Sequence, residues 1–247
     1  SDAILNNNFL KLYKVFCPGP ITFILKKKSK SKVSKMATAG KKTIAVRIPK
    51  HKVARNLLKI LKVPLAAPSA NIASKLSPTS AKDVVDEFGN KIKFILDGGQ
   101  CKIGLESTII DLTVKPTILR PGSISAEKIQ KILKKKITIN KNPKKIKGPG
   151  QFKFHYSPGI PAIMNRKYRE ENQAFVGFGK KFKEGKNQFN LSKNGSLNEA
   201  ANNLYKTMRK IKKRNFKSIA VAKIPNIGLG CVINDRLKKA SYKWANQ

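Results

Sequence analysis

The sequence has few acidic residues and few of the residues that cross-link chains or hold metals. Its 247 residues include 13 Asp and Glu against 53 Lys and Arg, with only three Cys and two His. Three scattered cysteines are too few for a disulfide framework or a zinc cluster and are typical of a reducing compartment. No stretch approaches the ~18 consecutive apolar residues of a transmembrane helix, and no signal-peptide pattern opens the chain. We therefore expect a cytoplasmic protein.

The chain also lacks the short motifs of the common nucleotide-binding and hydrolase folds. It has no GxxxxGK[ST] loop, no GxGxxG after a strand and no GxSxG elbow. His51 and His155 are far apart in sequence, and neither has the spacing of a metal ligand. A Ser/His/Asp triad stays open on sequence alone, whereas the P-loop and the Rossmann phosphate cradle are excluded.

The formal net charge of +40 has two interpretations. Eight of the basic residues are Arg and 45 are Lys. Surfaces that read phosphate or bases rely on Arg, because its planar fork donates two parallel hydrogen bonds. We therefore favour a genome biased towards A and T over a dedicated nucleic-acid surface, although such a charge attracts polyanions at low salt in either case. The hydrophobic fraction of 40% excludes a wholly disordered basic tail.

Hydrophobic periodicity divides the chain into alternating helices and strands. We predict helices over 3–16, 50–62, 196–213 and 230–240, with two more beginning at Ser80 and near Ser125. Strands are predicted over 21–25, 43–48, 64–67, 94–96, 107–112, 117–119, 174–178 and 218–222. A Lys-rich loop fills 26–42, and residues 134–150 have the composition of a linker. The pattern predicts an α/β protein with a domain over 1–135, a linker over 136–157 and a smaller α/β domain over 158–247.

Short polar clusters lie at the ends of four successive strands. They are Thr43 with Arg47, residues 67–71 with 77–79, residues 104–108, and residues 119–122. Arg47 alternates with apolar neighbours on its strand, so it needs a carboxylate or phosphate if that face is buried. Ser69, Asn71 and Ser77 supply small polar groups on backbone bent by proline. Taken singly, these features fit turn chemistry or an ion pair of Arg47 with Glu106. Their recurrence at four strand ends favours a ligand site.

Six motifs occur in the order of one known family. They are PGPIT (18–22), AVRIP (45–49), APSAN (67–71), SPT (77–79), GLESTII (104–110) and LRPG (119–122). The chain resembles the YrdC-type threonylcarbamoyl-AMP synthases. His155-Tyr156-Ser157-Pro158 and the INDRL run over 233–237 are similar to the longer, two-domain form of that family.

The resemblance implies a twisted mixed α/β sheet of the YrdC type with a concave, positively charged surface. It implies an enzyme, a nucleotidyltransferase that makes threonylcarbamoyl-AMP and pyrophosphate from L-threonine, bicarbonate and ATP. Mg²⁺ would be carried by the ATP, and no residue would act as a covalent nucleophile. The product would feed threonylcarbamoyladenosine modification of tRNA, with downstream threonylcarbamoyl-transfer proteins and double-stranded RNA or tRNA as partners.

The resemblance also assigns site residues, one motif at a time. Arg47 resembles the clamp on the threonine carboxylate, and Ala67 and Ser107 resemble the other threonine contacts. The residues that resemble ATP contacts are Thr43, Ser69, Ser77 and Arg120, with Asn71 as an additional polar group. Tyr156 resembles a residue that reaches back over the nucleotide, which would make the linker a lid.

The sequence departs from the family at its beginning. The family's first strands carry a PT-T segment and a K-x-R motif that help to hold threonine and ATP, and we find neither before Ala3. We expect that the sequence is a fragment of a longer gene product and that this chain alone is inactive. Two alternatives stay open: a non-catalytic module that binds double-stranded RNA or tRNA, and an inactive remnant.

Overall fold

A computed structural model describes residues 2–140 and 155–241 of the chain. It divides into two compact units. The first comprises Ser1–Ala67 and Glu106–Gln151, and the second comprises Pro68–Leu105 and Phe152–Gln247. The second unit thus joins a segment from the middle of the sequence to the C-terminal half.

Helices and strands alternate along the described residues. The helices are α1 (Asn7–Phe16), α2 (Lys52–Leu61), α3 (Ala81–Phe88), α4 (Ala126–Leu133), α5 (Leu197–Lys212) and α6 (Leu229–Ser241). The strands are β1 (Ile21–Lys26), β2 (Thr43–Val46), β3 (Thr108–Asp111), β4 (Thr117–Arg120), β5 (Thr138–Ile139), β6 (Ala162–Ile163), β7 (Gln173–Gly177), β8 (Gln188–Asn190) and β9 (Ser218–Val221). The predicted α/β class is confirmed.

The first unit is built on a five-stranded mixed sheet in the order β2-β1-β3-β4-β5. β1 runs antiparallel to β2 and parallel to β3, and β4 runs antiparallel to β3 and parallel to β5. Side chains alternate along β1, so Ile21, Phe23 and Leu25 enter the main core with residues of α1 and α4. Ile24 belongs instead to a small cluster with Ile109. Thr22 shares the face of Ile24, which leaves a polar side chain on the face away from the helices.

The second unit is built on a four-stranded parallel sheet in the order β6-β9-β7-β8. Every residue of β7 and β9 is buried, as expected for parallel strands that are covered on both faces. The main core lies among β7, β9, α5 and α6, and a smaller cluster around Phe175 fills the other face of the sheet. The Ser196 side chain caps α5 by accepting a hydrogen bond from Glu199 N, where the sequence predicts the start of this helix. The Ser196 N–H donates to Ser192 Oγ rather than to Glu199, so the cap lacks the reciprocal bond of a capping box.

Two predicted strands are wrong. Residues 64–67 and 94–96 form no β-ladder in the described structure. Leu65 is exposed, Phe94 is 88% exposed, and Leu96 is 63% exposed. A strand requires a neighbour for its N–H and C=O groups, and apolar β-type composition alone does not supply one. The short strands β5, β6 and β8 were not predicted, because two or three residues are too few to show periodicity.

The domain boundaries at 135 and 158 remain a prediction. The second unit takes in 68–105, which the sequence places with the first domain. Most of the predicted linker over 136–157 lies outside the described residues, since the structure describes none of 141–154. In the ranges that are described, no helix is long and apolar enough to cross a membrane.

Candidate functional site

Arg120 and Ser107 form a buried hydrogen-bonded pair in the first unit. Arg120, the last residue of β4, donates from Nε and Nη2 to the carbonyl oxygen of Ser107 at 3.2 and 3.0 Å. Its Nη2 also donates to Ser107 Oγ at 3.1 Å, and that hydroxyl lies 2.7 Å from Thr22 Oγ1. Both partners are buried. Three hydrogen bonds therefore hold together Arg120, which is predicted to bind the nucleotide, and Ser107, which is predicted to bind threonine.

The loop after β4 packs directly on the backbone that carries Ser107. A Cβ on Gly122 would lie 2.4 Å from Thr108 N and 2.6 Å from Glu106 O, so only glycine fits there. The Thr108 hydroxyl donates to Ile124 O at 2.7 Å and accepts from Ile124 N at 3.0 Å. Gly122 of the LRPG motif thus lies directly against residues 106–108 of the GLESTII motif, because a glycine allows the two backbones to touch.

Arg47 follows β2 in the same unit and adds a second positive charge. Desolvation by surrounding protein lowers the pKa of Arg47, and the positive charge of Arg120 lowers it further. Arg47 nevertheless keeps an exposed face. Two neighbouring guanidinium groups repel each other, so a bound carboxylate or phosphate between or beside them would be favourable. This electrostatic arrangement suits an anionic ligand.

Thr43 and Ala67 also lie in the first unit. Thr43 opens β2 opposite Lys26 and is half-buried, and Ala67 is exposed in the extended segment after α2. Their assignments to ATP and threonine remain predictions.

The other four predicted residues lie in the second unit. Asn71 is buried, and its Nδ2 donates to Ile72 O at 2.8 Å and to Lys75 O at 3.4 Å. Asn71 Oδ1 is buried with no hydrogen-bond partner among the described residues. A buried acceptor without a donor costs free energy, so this oxygen fits a donor on a ligand. Ser69 is exposed and Ser77 is half-buried.

Residues just after Ser77 are anchored by α3. The Asp83 carboxylate accepts hydrogen bonds from Thr79 N at 2.7 Å and from Thr79 Oγ1 at 2.9 Å. Ser80 Oγ accepts from Asp83 N, which confirms the predicted cap at the start of that helix. The structure adds a residue that the motifs did not show: Arg209 of α5 donates to the carbonyl of Ser77. The sequence feature that could have identified Arg209 is its position, because this charged residue continues the buried apolar face of α5.

Tyr156 lies in the core of the second unit. Its side chain is 2% exposed, and its backbone has φ +62°. The ring stacks near Tyr205 with centroids 5.9 Å apart and lies next to His155 with centroids 3.9 Å apart. Its predicted reach over a nucleotide remains a prediction, as does the role of the linker as a lid.

The described residues contain no group of three or more His, Cys, Asp or Glu side chains that could hold a metal ion. Cys17, Cys101 and Cys231 are free thiols. Burial raises the pKa of the Cys17 thiol, and burial followed by the charge of Asp83 raises that of Cys101. Neither thiol is therefore activated as a nucleophile.

Comparison with known proteins identifies the family of the chain. Residues 2–122 match a model of the Sua5, YciO and YrdC family described as telomere recombination, and residues 124–241 match the C-terminal domain of threonylcarbamoyl-AMP synthase. A threonylcarbamoyl-AMP synthase of Pyrococcus abyssi is 36% identical over 251 residues, covering 93% of this chain and 72% of the relative. That of Bacillus subtilis is 31% identical over 253 residues, with the same coverage of 93% and 72%.

Two solved structures share the whole fold. The crystal structure of P. abyssi Sua5 complexed with L-threonine has a TM-score of 0.86 at 34% identity, covering 97% of this chain and 75% of the other. A P. abyssi Sua5 variant in which a histidine and the following tyrosine are both alanine has a TM-score of 0.83 at 33% identity, covering 96% and 74%. The fold and motifs define a two-domain α/β enzyme of the YrdC type. The chain belongs to the threonylcarbamoyl-AMP synthase family, as the sequence motifs predict.

Proposed function

We propose that the chain catalyses nucleotidyl transfer from ATP, forming threonylcarbamoyl-AMP and pyrophosphate from L-threonine, bicarbonate and ATP. The observation that carries the proposal is the arrangement around Arg120: its guanidinium is hydrogen-bonded to Ser107, and its positive charge acts on Arg47. The alignment of 93% of the chain with synthases supports the same assignment.

The proposed threonine site uses Arg47, Ala67 and Ser107. The Arg47 guanidinium would hold the threonine carboxylate through charge-assisted hydrogen bonds. Ser107 Oγ, oriented by Arg120 and Thr22, would contact the amino acid from a fixed position. The threonine nitrogen would then be placed to form the carbamate with bicarbonate, with loss of water.

The proposed chemical step is attack of the carbamate oxygen on the α-phosphate of ATP. A new P–O bond forms as the bond from the α-phosphorus to the bridging oxygen breaks and pyrophosphate leaves. Such a step needs positioning and neutralisation of phosphate charge rather than a covalent enzyme intermediate. The bonds to Ser107 use Nε and Nη2 of Arg120, so its Nη1 can donate to a phosphate oxygen. Mg²⁺ would enter on the ATP.

The proposed nucleotide contacts are Thr43, Ser69, Asn71, Ser77 and Arg120, with Tyr156 covering the nucleotide. The buried Oδ1 of Asn71 supports this assignment, because it is an acceptor suited to a hydroxyl or amino donor of a nucleoside. The product would pass to threonylcarbamoyl-transfer proteins that modify tRNA, and we propose that these reactions take place in the cytoplasm.

The test is pyrophosphate release that requires ATP, threonine and bicarbonate together. Arg47→Ala should raise the KM for threonine by about tenfold or more, since a charged hydrogen bond is worth about 1.5–3 kcal/mol. Arg55→Ala on the exposed side of α2 is the matched control and should leave the KM for threonine unchanged. Unchanged threonine dependence in Arg47→Ala would refute the site assignment.

The alternative is a module that binds double-stranded RNA or tRNA without making adenylate, and the net charge of +40 would attract such polyanions at low salt. RNA binding that weakens steeply with salt, without ATP-dependent chemistry, would support the module instead. The pyrophosphate-release assay therefore distinguishes the enzyme from the RNA-binding module.

A further inference from the structure

Arg209 is a buried arginine of α5. Its side chain continues the buried stripe formed by Ala201, Tyr205 and Met208, and the residue is 8% exposed. A buried guanidinium requires hydrogen-bond acceptors and counter-charges, because desolvation of an unpaired charge is costly. The partners of Arg209 are therefore informative about what it holds in place.

The acceptors are backbone carbonyls of the polar loop over 71–79, which we call the Asn71–Thr79 loop. Arg209 Nη2 donates to Leu76 O at 2.7 Å, and Nε donates to Ser77 O at 3.3 Å. Both carbonyls precede the SPT motif or lie within it. The guanidinium thus holds the backbone on which the Ser77 side chain is mounted.

The counter-charges are two carboxylates of α3. Arg209 Nε lies 3.7 Å from Asp83 Oδ2, and Nη1 lies 3.5 Å from Glu87 Oε2. The side chains of Asp83 and Glu87 are 15% and 6% exposed. These ion pairs are therefore largely desolvated and sensitive to the loss of any one member.

Each carboxylate in turn holds another part of the loop. Asp83 Oδ2 accepts from both the N–H and the hydroxyl of Thr79, and Glu87 Oε1 accepts from Ile72 N at 3.3 Å. The network around one guanidinium therefore reaches the backbone at 72, 76, 77 and 79. These positions include Ser77 and the residue that follows Asn71, and Asn71 and Ser77 are the two predicted nucleotide contacts of the loop.

We propose that Arg209 is a positioning residue for ATP, which acts by fixing the Asn71–Thr79 loop. The proposal rests on the proposed function, since it takes that loop as part of the nucleotide site. Arg209 lies in the segment that matches the C-terminal domain model, whereas the loop lies in the segment that matches the other family model. Arg209 would then serve catalysis by ordering the loop rather than by touching the reacting atoms.

Lysine cannot replace this arginine. One ammonium group on a flexible stem cannot donate to two adjacent carbonyls while facing two carboxylates, which requires the planar fork. Arg209→Lys keeps the charge and removes the geometry. It is therefore the variant that distinguishes positioning from simple charge balance.

The experiment measures ATP affinity by calorimetry and the separate KM values for ATP and threonine. In Arg209→Lys we expect the Kd and KM for ATP to rise by about 10- to 100-fold, since small misplacements cost up to about 100-fold. The KM for threonine should stay within about twofold, because its predicted contacts lie in the first unit. Lys213→Met at the C-cap of the same helix is the matched control; its ion pair with Asp86 is largely exposed, so ATP binding should not change.

Amide hydrogen exchange gives a second measurement that does not depend on turnover. Exchange over 71–79 should become faster in Arg209→Lys and not in Lys213→Met. If Arg209→Lys fails to fold, the double variant Arg209→Met with Glu87→Gln is used instead for ATP affinity and for hydrogen exchange. This double variant removes one positive and one negative charge, so the net charge of the site is unchanged.

Unchanged ATP affinity with unchanged exchange over 71–79 would overturn the positioning role. Equal losses in ATP and threonine affinity would also overturn it, because they indicate general destabilisation. A wild-type protein that binds no ATP would overturn the proposed function and the positioning role together.

Discussion

The guanidinium carbon of Arg236 lies 4.8 Å from the centre of the Tyr156 ring, and both side chains are almost completely buried. Arg236 also pairs with the neighbouring carboxylate of Asp235, which lies 3.1 Å from Lys239 Nζ as well. A desolvated cation over an aromatic face is more favourable than the same contact in water. This pairing holds Tyr156, which the motifs assign to the nucleotide, in the core of the second unit.

Replacing Arg236 should therefore destabilise the second unit. We expect Arg236→Met to lower the free energy of unfolding by about 2–3 kcal/mol, since it removes the cation from the ring and from Asp235 while keeping the apolar stem. Urea denaturation of the full chain measures the change. Lys181→Met removes a cation from the Phe182 ring at an exposed position and should change stability by less than about 0.5 kcal/mol. Equal changes in the free energy of unfolding for the two variants would mean that burial does not strengthen the contact between the cation and the ring.

The contact between Gly122 and the Thr108 backbone should be essential for activity. Gly122→Ala places a Cβ against three backbone atoms within 2.6 Å, which must push the LRPG loop away from Ser107. We expect kcat/KM for pyrophosphate release to fall by about 100-fold or more, as for other displacements of about 1 Å in a site. Gly185→Ala is the control, because a Cβ there meets nothing within 4 Å. Full activity of Gly122→Ala would show that the LRPG loop can move away from Ser107 without loss of kcat/KM.

Ser107 and Arg120 should be energetically coupled. In a double-mutant cycle of Ser107→Ala and Arg120→Lys on kcat/KM, we expect a coupling of about 0.5–3 kcal/mol, as is usual for partners in one hydrogen-bonded network. The pair Ser107→Ala with Arg55→Ala should be additive. Additivity within about 0.3–0.5 kcal/mol for Ser107 with Arg120 would mean that the bonds between them do not support the reaction.

The ion pair between Lys213 and Asp86 should give a pH-dependent signature. The hydrogen bond from Lys213, at 2.7 Å, is the main cause that lowers the pKa of Asp86 below its ordinary value. A lowered carboxyl pKa stabilises the folded state above the unfolded-state pKa, and this contribution is lost as the pH falls through the folded-state pKa. Lys213→Met should raise the pKa of Asp86 towards the ordinary value. Carboxyl carbon NMR titration measures the shift, and an unchanged titration would mean that the pair does not form in solution.

The sequence predicted most helices because their signals are local. Ser80, Ser125 and Ser196 each accept a hydrogen bond from the N–H three residues on, and the sequence predicts a helix beginning at or near each of them. Strands were harder, because the same apolar composition serves a paired strand and an unpaired segment. Thr108–Asp111 is fully buried between neighbours, whereas Phe94 is 88% exposed, and sequence gives no measure of that difference.

By itself, the sequence determined the family and the motifs of the candidate site, since six short motifs in one order identify a shared chemistry without any coordinates. Tertiary structure decided which residues meet. It joined Ser107 to Arg120, buried Tyr156 beneath Arg236, and brought Arg209 to the carbonyl of Ser77 from 132 positions away. The reason is physical: capping and turns depend on neighbours in sequence, whereas a buried charge finds its partners only when distant segments pack and exclude water.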